Sequence, residues 1–191
     1  MPINPNDPVT EVSRMRIGKL YPGLRPIANR VLQDVFIQTR RKMNVVQGLR
    51  SFEDQLAVYS QGRQLQGDTW VVVDRGKIVT NARPGLSWHC YGLAFDCAWM
   101  GADPYLLSED EGIRDQLWKS YEDVVRSHGM KAGADFHLIN GVDDIPHAEL
   151  TYGLTIAQAL ELYNHGGLQG VWAYCDHLRG VPEGQDWGLG G

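Results

Sequence analysis

The stretch from Gly92 to Ala98 alternates so strictly that it constrains the fold more than any other feature of the chain. Leu93, Phe95 and Cys97 take one parity and Ala94, Asp96 and Ala98 the other. As a strand it presents one apolar face and one face bearing a carboxylate flanked only by small residues. The first face belongs on a core, and the second suits a strand that lines an open cleft. Segments of helical period are available to cover the core face. Pro26 opens one in which Ile27, Val31 and Val35 recur with Leu32 and Phe36 beside them, until Lys42. Ile113, Leu117, Tyr121 and Val124 mark another, ended by Gly129. Ser51-Phe-Glu-Asp54 reads as a capping box for a helix that buries Phe52, Leu56 and Tyr59 and stops at Gly62.

Further short strands are expected at Val45-Val46 and from His147 to Leu150. A hairpin is expected from Trp70–Val73 and Ile78–Thr80, joined by Asp74-Arg-Gly-Lys77. Thr155 caps a helix through Tyr163, Gly166-Gly167 breaks it, and Leu168, Val171, Trp172 and Cys175 stripe a last helix. That stripe reads as core rather than as a binding surface. The first 25 residues, with Pro2, Pro5 and Pro8 spaced through them, read as an extended surface arm, and Gly180 to Gly191 as a frayed end. The fold class is α+β: a small, mainly antiparallel sheet flanked by helices, with a C-terminal helical extension.

The 191 residues suit one domain, and the 43% hydrophobic and 21% charged content is that of a globular chain. Lys and Arg total 18 against 23 for Asp and Glu, and this net charge of −5 excludes a nucleic-acid binder that relies on a broad basic surface. No apolar run approaches the roughly 18 residues of a membrane span, so no membrane insertion is expected. The opening residues lack the basic and apolar regions of a signal peptide, and none is expected. Three cysteines, Cys90, Cys97 and Cys175, point to synthesis in a reducing compartment without a disulfide framework.

Chemistry concentrates around the alternating strand. His89 lies just before it, where a loop can fold the imidazole toward Asp96, and a histidine meeting a carboxylate is half of a zinc site. Asp143-Asp144-Ile-Pro146-His147 is the candidate for the other half. Pro146 biases Ile145 away from helical angles, so Asp144 and His147 sit on a turn entering a strand. Three protein ligands with an open fourth position make the catalytic zinc pattern, and a carboxylate outside the ligand set, here Asp144, then serves as general base. Spacing alone leaves the alternative open that His89 and Asp96 are a surface pair or a satisfied core histidine. Glu149 either orients His147 from the same strand face or is an exposed strand carboxylate. His137 lies either near the cleft or in a structural role. His128 reads as a helix C-terminal residue, His165 and His177 as surface residues, Cys90 as a bystander and Cys97 as core.

Ser87-x-His89-x-x-Gly92-x-Ala94-x-Asp96 resembles the signature of the D-alanyl-D-alanine carboxypeptidase-like zinc peptidases. Asp144-x-Pro146-His147 is similar to the second signature of their L-alanyl-D-glutamate endopeptidase branch, which includes many bacteriophage endolysins. Gly48-Leu-Arg50-Ser51-x-x-x-Gln55, Gly62-Arg63 and Ile78-Val-Thr-Asn81-Ala82 also resemble that branch, in the expected order between Val45 and Gly153. The other branches carry Glu where this chain has Asp144. One block departs: a W-G-G-D-W-like stretch reads Lys131-Ala-Gly-Ala-Asp135-Phe136 here, so substrate contacts there are expected to differ.

The resemblance implies zinc held by His89, Asp96 and His147, with Asp144 as catalytic base. It implies that Arg50 acts in catalysis by gripping a substrate carboxylate and that Ser87 hydrogen-bonds substrate. The activity implied is cleavage of the L-Ala–D-Glu bond of peptidoglycan stem peptides, as in a phage endolysin made in the host cytoplasm and acting at the wall after release. The alternatives are a D-Ala-D-Ala carboxypeptidase of the same fold and a non-catalytic wall-binding or virion protein. Residues 1–153 would form the catalytic domain, with its N-terminal arm and helix, and 154–191 a helical extension packed on it. A monomer with peptidoglycan as its partner is expected.

Overall fold

The computed structural model describes residues 7–136 and 144–180. The expectations for His137 and for the end beyond Gly180 fall outside them. Four strands form one antiparallel sheet in the order β1-β4-β6-β5: β1 Met43–Gln47, β4 Ala94–Trp99, β6 His147–Glu149 and β5 Lys131–Ala132. A two-stranded hairpin, β2 Arg63–Gln66 with β3 Thr69–Val72, stands apart from it. The helices are α1 Glu11–Ile17, α2 Arg25–Thr39, α3 Phe52–Tyr59, α4 Glu111–Ser127 and α5 Ile156–Leu178. The α+β expectation holds.

The core lies on the face of β4 that carries Leu93, Phe95 and Cys97, all fully buried with Val31, Val35, Tyr121 and Val125 from α2 and α4. Leu56 and Ile113, expected inside, are 40% and 45% exposed, because α3 and α4 turn those positions to solvent. The buried surface of α3 includes Gln55 instead. Helix α2 stops at Thr39, short of Lys42, because Arg40 adopts a left-handed backbone, φ 58°.

Three expectations are corrected. From residue 7 on, the N-terminal segment is not an arm: Thr10 caps α1, and Ile17, Leu20, Tyr21 and Leu24 are buried. The prolines end before Thr10, which leaves the capping signal free to act. Helix α1 also closes the open edge of β1, since Ser13 Oγ accepts from Val45 N–H at 3.1 Å and Arg16 donates to Val45 O at 2.6 Å.

The hairpin is shifted. Thr69–Val72 pairs with the preceding Arg63–Gln66 across Gly67-Asp68, while Arg75–Lys77 is a 3-10 turn and Ile78–Thr80 is not a strand. Gly67 takes φ 59°, the left-handed geometry of a tight two-residue hairpin turn.

The second face of β4 is not an open cleft along its length. Ala94 and Ala98 are buried, and only the Asp96 side chain, 21% exposed, reaches solvent. At one end Asn44, opposite Ala98, accepts a hydrogen bond from Thr10 beside α1; in the middle two imidazoles close over the carboxylate.

The expected break is present in α5: Gly167, at φ 60° and ψ −156°, leaves the helical region and divides Ile156–Leu178 into two helices that meet at a kink. Its Val171 and Cys175 enter the core, and Trp172 Nε1 donates to Tyr91 O at 2.8 Å.

Candidate metal centre

The centre is built on register. Asp96 in β4 stands opposite His147 in β6, and directly opposed residues of an antiparallel pair share a face. His89 arrives from the 3-10 turn Trp88–Tyr91, whose exit needs Gly92 at φ 68°: a Cβ there would also meet Tyr21 N at 3.1 Å. The turn returns the chain into β4 and leaves His89 over Asp96, with His89 Nε2 3.2 Å from Asp96 Oδ1. His147 Nδ1 lies 3.1 Å from the same oxygen, and the two rings are 5.0 Å apart. One donor atom from each of His89, Asp96 and His147 falls within a 4.8 Å set, the arrangement a metal ion requires.

The remaining imidazole nitrogens are held from behind. His89 Nδ1–H donates to Gly48 O at 2.9 Å, and His147 Nε2–H to Glu149 Oε2 at 3.1 Å. These bonds aim the opposite nitrogens, as a ligand set with oriented tautomers demands. Glu149 is buried beside its histidine, which decides between the two readings of this residue in favour of an orienting carboxylate.

Electrostatics follow from this packing. Burial works against the Asp96 charge, but the His89 and His147 imidazoles outweigh it and hold the carboxyl well below the usual range. Burial also disfavours a charged His147, yet hydrogen bonds to Asp96 and Glu149 raise its affinity for a proton. A field that draws a proton between two carboxylates also draws a cation.

Asp144 begins the turn into β6, where His147 N–H donates to Asp144 O at 2.9 Å. Desolvation, reinforced by Asp96, raises its carboxyl above the ordinary value, while His147, His89 and Arg50 oppose the shift. The turn is fastened from below by two donors to Pro146 O: Tyr121 Oη at 2.8 Å and Cys97 N–H at 3.0 Å.

Arg50 is half-buried, and its backbone N–H donates to His89 O at 3.0 Å. Its Nη1 donates to Gln55 Oε1 at 2.9 Å, and Gln55 Nε2 donates to Ala82 O at 2.8 Å. Arg63 binds Tyr59 O, Thr80 O and Asn81 Oδ1, so the separated blocks Gln55, Gly62-Arg63 and Asn81-Ala82 form one brace behind Arg50. Ser87 precedes the turn that carries His89, half-buried and without a hydroxyl cap bond. Cys90 is buried and lies outside the ligand group.

Two residues that sequence reasoning missed belong here. Phe136 sets its ring 5.4 Å from His147, edge to face. Gly133 lies under the ligand turn, where a Cβ would sit 1.7 Å from Asp144 O and 3.0 Å from His147 Cβ. The glycine in the departing 131–136 block was the available signal.

No protein-family model matches the chain. It is 32% identical over 110 residues to the peptidoglycan L-alanyl-D-glutamate endopeptidase CwlK of Bacillus subtilis (strain 168), covering 56% of this chain and 59% of that protein. The chain thus spans about three fifths of the length of this relative. Solved structures similar to it include the Serratia marcescens L-Ala D-Glu endopeptidase ChiX, with a TM-score of 0.46 and 21% identity over 75% of this chain and 89% of that one. Another is the vancomycin-resistance D,D-pentapeptidase VanY of a VanB-type cassette in complex with Zn(II), with a TM-score of 0.38 and 21% identity over 76% and 81%.

Proposed function

We propose that this chain is a zinc-dependent peptidoglycan endopeptidase that cuts the L-Ala–D-Glu bond of stem peptides. The observation that carries the reading is the convergence of His89, Asp96 and His147, each imidazole fixed through its other nitrogen, with a second carboxylate on the adjoining turn. Two neutral imidazoles and one carboxylate are a donor set suited to zinc, and three ligands leave a position open for substrate. The 32% identity to CwlK over 110 residues supports the choice of bond.

When bound, zinc supplies Lewis-acid polarisation of the scissile carbonyl and acidifies water at neutral pH. The chain's own residues supply the rest. Asp144, its carboxyl raised by desolvation, accepts the proton of the attacking water and returns it to the departing amine of D-Glu. Arg50, held at Nη1 by Gln55, presents the rest of its guanidinium fork to the free carboxylate beside that amine. Ser87 offers a hydroxyl to the substrate backbone next to His89. Glu149 keeps His147 in the tautomer whose Nδ1 faces the site.

The test is mass spectrometry of muropeptides after digestion, with and without chelator. New N-terminal D-Glu ends that vanish on chelation are expected. Asp144→Asn should retain zinc and lose cleavage, whereas His89→Ala should lose both. Release of terminal D-Ala instead would assign the D,D-carboxypeptidase alternative, and a protein that takes up no zinc would be the non-catalytic one. The endolysin role is part of the same proposal. It requires that co-expression with a membrane-pore protein lyse the host, and that expression alone leave it intact.

A further inference from the structure

We propose that Lys131, seated on the ring of Phe136, is a second anion-recognising group of this site and takes a carboxylate of the substrate peptide other than the one assigned to Arg50. The inference rests on the peptidase reading above.

Strand order sets the geometry. Arg50 follows β1 at one edge of the sheet, Lys131 belongs to β5 at the other, and Asp96 and His147 lie on the two strands between. At about 4.8 Å per strand the edges are about 14 Å apart, the span of about four residues of extended peptide. Register decides the side: Lys131 stands opposite Glu149, and Ala132 opposite Ala148. Opposed residues share a face, so Lys131 shares the face of Glu149 and His147 while Ala132 is buried on the core side.

Contacts lead from the metal ligands to the ammonium. The Phe136 ring lies 5.4 Å from His147, and Lys131 Nζ lies 4.2 Å from the Phe136 centroid. The ring restrains the ammonium without neutralising it. Asp135, the acid nearest in sequence, is bridged by Arg126 at 2.8 Å and feels the Lys131 charge only at longer range, and among the described residues Lys131 makes no ion pair within 4 Å. The face it borders carries three carboxylates, Asp96, Glu149 and Asp144, against the two positive charges of a bound zinc, and so keeps a net negative charge that repels an acidic peptide. Cations at both edges offset that repulsion, and a compact ammonium on a flexible stem suits a carboxylate whose geometry varies.

The experiment uses the zinc-loaded full chain and two synthetic L-Ala–γ-D-Glu–diaminopimelate peptides, identical except that the side-chain carboxylate of the third residue is free or amidated. The free acid is expected to have the higher kcat/KM by roughly threefold to fivefold, the range of an exposed ion pair, through KM rather than kcat. Lys131→Met should erase the difference, Lys131→Arg should keep it and Lys131→Glu should reverse it. Titration calorimetry of the corresponding D-Glu–diaminopimelate product peptides with metal-free protein should show the same ratio of affinities. Equal effects of Lys131→Met on both peptides, or no preference in the parent chain, would overturn the proposal. If the parent cuts neither peptide, the peptidase reading fails on its own, and the calorimetric ratio still decides the role of Lys131.

Discussion

Glu149 receives the Nε2–H of His147 in a buried setting, so in the proposed zinc centre it would act on the metal through another residue. Removing such a partner costs metal affinity while the ligands stay in place. Glu149→Ala is expected to weaken zinc binding about tenfold to a hundredfold in a chelator-competition assay, with Glu149→Gln recovering part of the loss because its amide oxygen still accepts the N–H. Unchanged affinity in the alanine variant would remove Glu149 from the site. Gly133 matters for the opposite reason, since it contributes absence of volume. With Asp144 O 1.7 Å from where a Cβ would be, Gly133→Ala must push the 144–147 turn away. That variant should lose both zinc affinity and hydrolysis while its far-ultraviolet circular dichroism stays unchanged, because the helices do not touch the change. The sequence shows this glycine without showing what passes over it, because residue 144 approaches residue 133 only through sheet pairing.

Among elements, the segment from α4 to β5 shows how local charges hold a functional loop. Arg126 near the end of α4 grips Asp135, whose carboxyl also accepts from Ala132 N–H, and these bonds lower its proton affinity. A carboxyl whose pKa is lower folded than unfolded adds stability above the unfolded value, near 4, and loses it as pH falls through the folded one. Asp135→Asn should therefore lower the Tm at pH 7, and the difference should shrink progressively as pH falls below the unfolded value, near 4. A Tm difference that persists in acid would show that packing, not charge, holds the loop. The elements themselves were legible where a period ran over several turns, as in α2 and α4, or where a cap stood before it, as at Ser51 and Thr155. They were misread where the signal was short: α1 has seven residues behind a proline-rich stretch, and β3 has strand-forming residues compatible with a partner on either side.

Across the whole molecule, the three thiols report on how the core closes. Cys90, Cys97 and Cys175 are buried in the core cluster, and burial raises all three, Cys175 to about 12. At pH 8 the native protein should therefore react with none of its cysteines toward a thiol reagent, and with all three once unfolded. The labelling rate then measures opening of the molecule, and fast reaction of one thiol in the native state would contradict the packing described here. The same closure explains what could be read early and what could not. The sequence by itself determined which residue types stand at which local positions: the parity of Gly92 to Ala98, the histidine before it, the proline that keeps Asp144 and His147 off a helix, and the order of the blocks. Those are properties of neighbouring residues, and backbone sterics transmit them over a few positions only. Tertiary structure alone decided that Asp96 faces His147, that Glu149 lies behind it, that Gln55 and Arg63 brace Arg50, and that Lys131 comes to the far edge of the same face. Each of those depends on strand order and register, which the chain settles by burying apolar surface across long sequence separations.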